Sequence, residues 1–329
     1  MSLKACKSCM SVKYCNSKCQ KNHWPTHKTA CKERAAELHD EVLFKDPPAK
    51  EDCPICFLPM PKQLICCVSL PPATISSVPV YDYAKANEEV ASTSTSQYYS
   101  CCGKSICAGC LPYVTPKTGK YHLKCPYCNS DRDIITDEEQ VKGIRKRVEA
   151  NDPASTLILA QHYRHGDSGL QQDRAKAMEL YSKAAELGST HAHFFLGQMY
   201  VEGGNVKKAK FHYEATAMAG CEVARYELGC LEGTRNNNLG AMAFTSDNVK
   251  RAIKHWTIAA SAGEYRAMNT LIDLFKKGLV VNRESIDLTL TAYNNSCAEM
   301  RSKDRDATIR GITETRLGED GKWERKVRG

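Results

Sequence analysis

The chain has 329 residues, 42% of them hydrophobic, and a formal charge of +8. That size suits two or three domains, with a separate core in the back half. The charge invites a nucleic-acid reading, but basic residues lie scattered among acidic ones without a one-sign stripe, which leaves nucleic acid a minor candidate partner. No stretch approaches the ~18 apolar residues of a membrane-spanning helix. No apolar signal-peptide core follows Met1-Ser2-Leu3-Lys4, so a soluble protein of the reducing cytosol or nucleus is expected.

Fifteen of the 18 cysteines fall within the first 128 residues. A disulfide framework needs an oxidising compartment, whereas two cysteines on one tight turn aim both sulfurs at one point and suit a tetrahedral ion. Zinc is therefore the expected cofactor. It also changes the charge. A four-thiolate zinc site carries about −2 and a three-thiolate, one-histidine site about −1. Two of the first kind and one of the second lower the formal +8 to about +3.

Residues 1–31 hold the first cluster, Cys-x2-Cys-x5-Cys-x3-Cys-x7-His-x3-Cys, made by Cys6, Cys9, Cys15, Cys19, His27 and Cys31. His27 and Cys31 stand four apart, so on a helix they face the same way and can grip one ion. Leu3-Lys4-Ala5-Cys6, Tyr14-Cys15, Cys19-Gln20, Trp24, His27-Lys28 and Cys31 together resemble a MYND zinc finger. The resemblance implies two cross-braced zinc sites. It places Cys6, Cys9, His27 and Cys31 on the second and Cys15 with Cys19 on the first. The family's opening Cys-x2-Cys has no counterpart ahead of Cys6, so either the first site is degenerate or the true start lies upstream, and the residues given make one complete site and half of another. The family's habit of binding proline-containing peptides is one implied role; a purely stabilising finger is the other.

A helical linker is predicted over 32–52. Ala35, Leu38, Val42 and Leu43 lie near helical spacing within Lys32–Phe44, and Pro47-Pro48 follow. Residues 53–130 then carry four ligand pairs: Cys53 with Cys56, Cys101 with Cys102, Cys107 with Cys110, and Cys125 with Cys128. Consecutive pairs can alternate, the first with the third and the second with the fourth, and bound metal then supplies folding free energy that a small core lacks. Cys53-Pro54-Ile55-Cys56, Cys102-Gly103-x3-Cys107 and Cys125-Pro126-Tyr127-Cys128 resemble a RING finger in which Cys101-Cys102 replaces the usual Cys and His. Lys104 stands where many RING fingers have their histidine, and an ammonium cannot ligate. The 44-residue gap after Cys56 reads as an excursion from the metal core, with Cys66 and Cys67 as loop thiols.

The RING resemblance implies docking of a ubiquitin-conjugating enzyme through Ile55 and Pro126. The finger would position the loaded ubiquitin without supplying a nucleophile. Asn129 occupies the place of a frequent ubiquitin-clamping cation, and no tryptophan lies between Cys110 and Cys125. An active ligase and an inert zinc scaffold both stay open at this point.

Thr136-x-x-Glu139 makes a capping box ahead of Val141, Ile144 and Val148, which predicts a linker helix over 136–150. The Arg145-Lys146-Arg147 run within it reads as a solvated face. From 151 to 300 the chain repeats. Leu159-Ala160-x2-Tyr163, Leu196-Gly197-x2-Tyr200, Leu228-Gly229-x2-Glu232 and Leu271-Ile272-x2-Phe275 open units with leucine spacings of 37, 32 and 43. Tyr181-x2-Ala184-Ala185-x2-Gly188, Tyr213-x2-Thr216-Ala217-x2-Gly220 and Trp256-x2-Ala259-Ala260-x2-Gly263 close three of them. Small residues let antiparallel helices approach closely, and the glycines end the second helix where positive φ is needed.

These motifs resemble Sel-one-like repeats, relatives of the tetratricopeptide class, whose helix pairs stack into a solenoid that binds proteins. The Asn-rich stretch Gly233–Asp247 reads as a loop, the fourth unit as a cap, and Cys221, Cys230 and Cys297 as small packing residues. Residues 301–329 read as a helical end followed by a charged, disordered tail.

The expected fold class is thus small zinc-stabilised α+β fingers followed by an all-α helix-hairpin solenoid. The combination is similar to that of diatom-type RING and repeat proteins. It implies either a RING-type ubiquitin ligase component whose repeats select substrate, or a non-enzymatic zinc scaffold or transcription-linked adaptor. No nucleophile–base pair or phosphate loop appears, which argues against direct catalysis by the chain's own side chains.

Overall fold

The computed structural model describes residues 4–14, 16–46, 48, 96–99, 101–107, 110, 123–125, 127–128, 131–132, 137–233, 247–278, 282–299, 315–317 and 323–325. They belong to two compact units, Met1–Pro47 and Pro48–Gly329.

In the first unit β1 (Lys4–Ala5) pairs antiparallel with β2 (Lys13–Tyr14), Lys4 opposite Tyr14. Helix α1 (Ser17–Leu43) follows, and the Asn16 side chain caps it by accepting from the Cys19 N–H. The helix predicted from Lys32 is the second half of this single 27-residue helix. Nothing in Lys28–Ala36 interrupts it, because Lys, Ala, Glu and Arg are all strong helix formers. Arg34 adds ion pairs to Glu37 at 2.9 Å and Glu41 at 3.1 Å on the solvent side.

In the second unit β3 (Ser96–Tyr99) and β4 (Lys104–Cys107) form a hairpin, with Tyr99 opposite Lys104 and Cys101-Cys102 in the turn. β5 (Leu123–Lys124) and β6 (Asp131–Arg132) pair on either side of Cys125 and Cys128. The helices that follow are α2 (Asp137–Glu149), α3 (Pro153–His165), α4 (Arg174–Glu186), α5 (Thr190–Glu202) and α6 (Val206–Met218). They continue with α7 (Glu222–Gly233), α8 (Asp247–Ser261), α9 (Tyr265–Lys276) and α10 (Arg283–Glu299). Each of these helices packs on the next, and α10 also reaches back to α8. Hairpins α3–α4, α5–α6 and α7–α8 are the repeating units of an all-α solenoid.

Sequence sets this geometry through three kinds of feature along the array. Asp152, Asp173, Ser189, Asn205 and Glu264 cap helix N-termini, their side chains accepting backbone N–H groups. Gly188, Gly220 and Gly263, at φ of +92°, +87° and +98°, turn the chain after the second helix of each hairpin. Between these ends, the closing aromatic of the second helix seats on the small residue of the first. Tyr213 lies over Gly197, and Trp256 over Gly229. In the first hairpin Ala160 and Tyr181 are both fully buried.

Of the Ala184-Ala185 pair, Ala184 is the fully buried member and Ala185 is half-buried. Tyr181 stacks on Phe195 of α5 at 5.3 Å, which carries the packing from one unit into the next. The α2 residues Val141 and Ile144 are buried, with Val148 packed beside them, as their spacing predicts. Cys221 and Cys297 are buried and Cys230 half-buried, as expected of packing residues. The aligned repeat departs at Glu232, which replaces the tyrosine of earlier units. Its carboxylate is buried and bridges Lys210 at 2.8 Å and Arg251 at 3.2 Å.

The tail differs from expectation. Past the helical end at Glu299, β7 (Thr315–Leu317) and β8 (Trp323–Arg325) form an antiparallel pair. Thr136 of the predicted capping box and residues 234–246 of the predicted loop lie outside the described residues.

Candidate metal centres

The first centre is built from a tight turn and one face of a helix. The Cys6 N–H donates to the Val12 carbonyl at 2.8 Å and the Met10 N–H to the Cys6 carbonyl at 2.9 Å. Met10 sits at φ +57°, so the turn curls back and aims Cys6 and Cys9 inward. His27 and Cys31, one turn apart on α1, complete a buried tetrad. Cys6 Sγ and Cys31 Sγ are 3.7 Å apart, and Cys9 Sγ is 3.2 Å from His27 Nε2. All four ligand atoms lie within 4.8 Å of one another. Tetrahedral zinc with Zn–S bonds near 2.3 Å needs sulfurs about 3.8 Å apart, so the residues present fit the ion.

The electrostatics point the same way. Backbone N–H groups of Cys9 and Ser8 draw the Cys6 thiol down to about 6, while burial and the neighbouring Cys6 and Cys9 sulfurs push Cys31 up to about 11. Close, buried thiols oppose one another's ionisation, and a divalent cation removes the conflict by accepting all the thiolates together. Tyr14 and His23 wall this site and carried no signal in the ligand spacing. The Tyr14 hydroxyl lies 2.9 Å from His23 Nδ1, and the His23 ring stacks on His27 at 5.4 Å and 12°. Burial, then the charges of Cys6, Cys9 and Cys31, raise the Tyr14 pKa. Cys19 is exposed on α1, apart from the tetrad, and Cys15 lies outside the described residues.

The second centre gathers Cys101, Cys102, Cys125 and Cys128. Cys102 Sγ is 3.6 Å from Cys125 Sγ, and Cys128 Sγ is 3.5 Å from Cys101 Sγ. These separations again suit one tetrahedral ion. Partial desolvation, with the Cys125 and Cys128 thiols, pushes Cys101 up to about 12, and Cys102 is raised by the same kind of crowding. Cys101 and Cys128 face solvent and Cys125 is buried.

Lys104 Nζ stands 5.0 Å over the Tyr127 ring, and Tyr127 meets the buried Tyr99 edge-on at 6.0 Å. The second and fourth ligand pairs therefore come together. Of the first and third pairs, Cys110 is buried and Cys107 is placed in β4 by its backbone. Cys53, Cys56, Cys66, Cys67, Ile55, Pro126 and Asn129 lie outside the described residues.

Comparison with known proteins agrees with this geometry. Residues 1–31 match the MYND finger family, and residues 153–189, 190–221 and 223–264 match the Sel1 repeat family. No curated protein matches the chain. Among solved structures, a Sel1 repeat protein from Oxalobacter formigenes is 23% identical, with a TM-score of 0.39, over 50% of this chain and 65% of that one. The protective antigen c5321 of uropathogenic Escherichia coli, with an SLR fold, is 21% identical, with a TM-score of 0.38, over 54% of this chain and 40% of that one. The chain thus spans less than two thirds of either protein's length. Its Cys6, Cys9, His27 and Cys31 form a zinc-binding arrangement of the MYND type, and a Sel1 repeat solenoid follows.

Proposed function

We propose that the chain is a zinc-dependent adaptor that acts as a RING-type ubiquitin ligase component, its repeats selecting the substrate. The observation that carries this reading is the tetrad of Cys101, Cys102, Cys125 and Cys128. It joins the second ligand pair to the fourth, the alternation a cross-braced RING requires. In such a finger the metal supplies rigidity, and the chain's own residues bind and orient. Ile55 and Pro126 form the apolar contact with the conjugating enzyme. The substrate meets the solenoid at exposed apolar residues of α5 and α6: Phe211, Val206 and Met218 on α6, with Phe211 63% exposed, and Val201 on α5. Metal sites built from free thiols favour a reducing compartment, cytosol or nucleus.

Self-ubiquitination with a panel of conjugating enzymes tests the reading. Transfer by the wild type, abolished by Ile55→Ala at unchanged zinc content, supports it. A second reading, a zinc scaffold without ligase activity, is favoured by Asn129 at the clamp position and by the missing tryptophan between Cys110 and Cys125. Absence of transfer with every enzyme, together with retained zinc, selects that one.

A further inference from the structure

The turn that carries Cys101 and Cys102 meets the start of the solenoid at Gly103. Gly103 follows these ligands at φ +73°, its N–H donating to the Tyr99 carbonyl at 2.8 Å. A Cβ there would lie 2.8 Å from Arg147 Nη1 and 3.0 Å from Asp152 Oδ2. Only glycine permits that approach and that φ together.

The two side chains it meets form the corner between α2 and α3. Arg147 pairs with Asp152 Oδ2 at 2.9 Å, and both are largely buried, at 27% and 15% exposure. Oδ1 of the same aspartate accepts the Ala154 N–H at 2.9 Å and the Ser155 N–H at 3.1 Å, capping α3. The Asp152 N–H in turn donates to the Arg147 carbonyl at 3.0 Å, and Asn151 holds the bend at φ +57°. Arg147, which the sequence assigns to a solvated basic run, is thus a structural contact.

We infer that the Cys101–Lys104 turn is a metal-set clasp: the ion at the Cys101, Cys102, Cys125 and Cys128 tetrad fixes Gly103 against the Arg147–Asp152 pair and thereby orders the first hairpin of the repeats. The clasp rests on zinc occupying that tetrad and is independent of ligase activity. Two consequences follow from the geometry. Removal of the ion frees the turn, so Arg147 and Asp152 gain solvent and the α2–α3 corner loses protection. Hairpin α7–α8 and helices α9 and α10 lie further along a stack in which each helix touches its neighbours, so they keep theirs.

Hydrogen exchange on the full-length protein, with and without zinc chelator, tests the clasp. Chelation is expected to speed amide exchange at least tenfold over residues 141–158 and to leave 250–299 unchanged. Arg147→Met removes the guanidinium while keeping every zinc ligand and the Asp152 cap. It is expected to retain the wild-type zinc content and to show fast exchange over 141–158 already in the zinc-bound state, with no further response to chelator. Cys128→Ser, which removes a tetrad ligand and no clasp residue, is expected to reproduce the chelator pattern in zinc buffer. Unchanged exchange over 141–158 on chelation overturns the clasp, as does a Cys128→Ser protein with wild-type zinc content. A uniform rise along the whole solenoid also overturns it, because metal would then govern the entire array.

Discussion

Gly197→Ala adds one methyl group at the point where two repeat helices touch, and the structure indicates that the array will not accommodate it. The new Cβ would lie 2.5 Å from Tyr213 Cε1, 2.6 Å from Cδ1 and 3.1 Å from Cζ. Comfortable carbon–carbon contact begins near 3.5 Å, so the ring must retreat by about 1 Å. It has little room to do so. Tyr213 is 2% exposed and is backed by Phe194 at 5.8 Å. Overpacking of this kind costs about 1–3 kcal/mol, and alanine's better helix propensity returns at most about 1 kcal/mol. The net loss should be about 1–2 kcal/mol, or roughly 2–8 °C in melting temperature for a helical domain of this size. Circular dichroism melts of zinc-bound full-length protein measure it. Tyr213→Leu should be less harmful in the Gly197→Ala background than alone, since it removes the ring that clashes. A Gly197→Ala protein that melts at or above the wild-type temperature would refute the argument that small-on-aromatic contact sets the helix spacing.

Other perturbations reach different parts of the account. Glu232→Ala leaves Lys210 and Arg251 facing a gap, and because these cations are 34% and 22% exposed the loss should be about 1–3 kcal/mol in urea titration, below that of a fully buried pair. Burial first, then His193 and Lys208, lowers His212 to about 4. The unfolded chain therefore binds a proton between about pH 6.5 and 4 that the folded one refuses, and stability should fall as pH drops through that window. His212→Phe should flatten the decline, and a pH–stability curve unchanged by that substitution would remove His212 from the explanation. Cys101→Ser and Cys102→Ser should each cost one zinc ion; full loading in either variant makes that cysteine a bystander.

The repeat array was legible because its signals are local. A Leu-Gly opening, an Ala-Ala or Thr-Ala close and a helix-ending glycine each report one backbone requirement, and Gly188, Gly220 and Gly263 adopt the positive φ their position predicts. The first tetrad follows from the MYND resemblance together with the four-residue spacing of His27 and Cys31. Contacts across the fold were not legible. The Gly197 and Gly229 positions show as small residues in sequence, but only packing reveals that Tyr213 and Trp256 occupy the space.

The ligand pattern ends at Cys31, whereas α1 runs on to Leu43 because most residues beyond Cys31 are helix formers. Arg147 looked like part of a charge run, and its partner Asp152 carried a separate signal, the Asp-Pro start of α3. Nothing along the chain connects either residue to Gly103. Glu232 is polar at a position otherwise held by Tyr163, Tyr200 and Phe275, but its burial and its partners Lys210 and Arg251 appear only in the packing.

Beyond the MYND-type tetrad of Cys6, Cys9, His27 and Cys31, the proposed function needs a second zinc ion at Cys101, Cys102, Cys125 and Cys128. Native mass spectrometry of the full-length protein, purified without chelator and compared with Cys31→Ser and Cys128→Ser, tests it most directly. At least two zinc ions are expected in the wild type, one ion fewer in each single variant, and two fewer in the double variant. One ion or none in the wild type, or a single substitution that releases both ions, would contradict it.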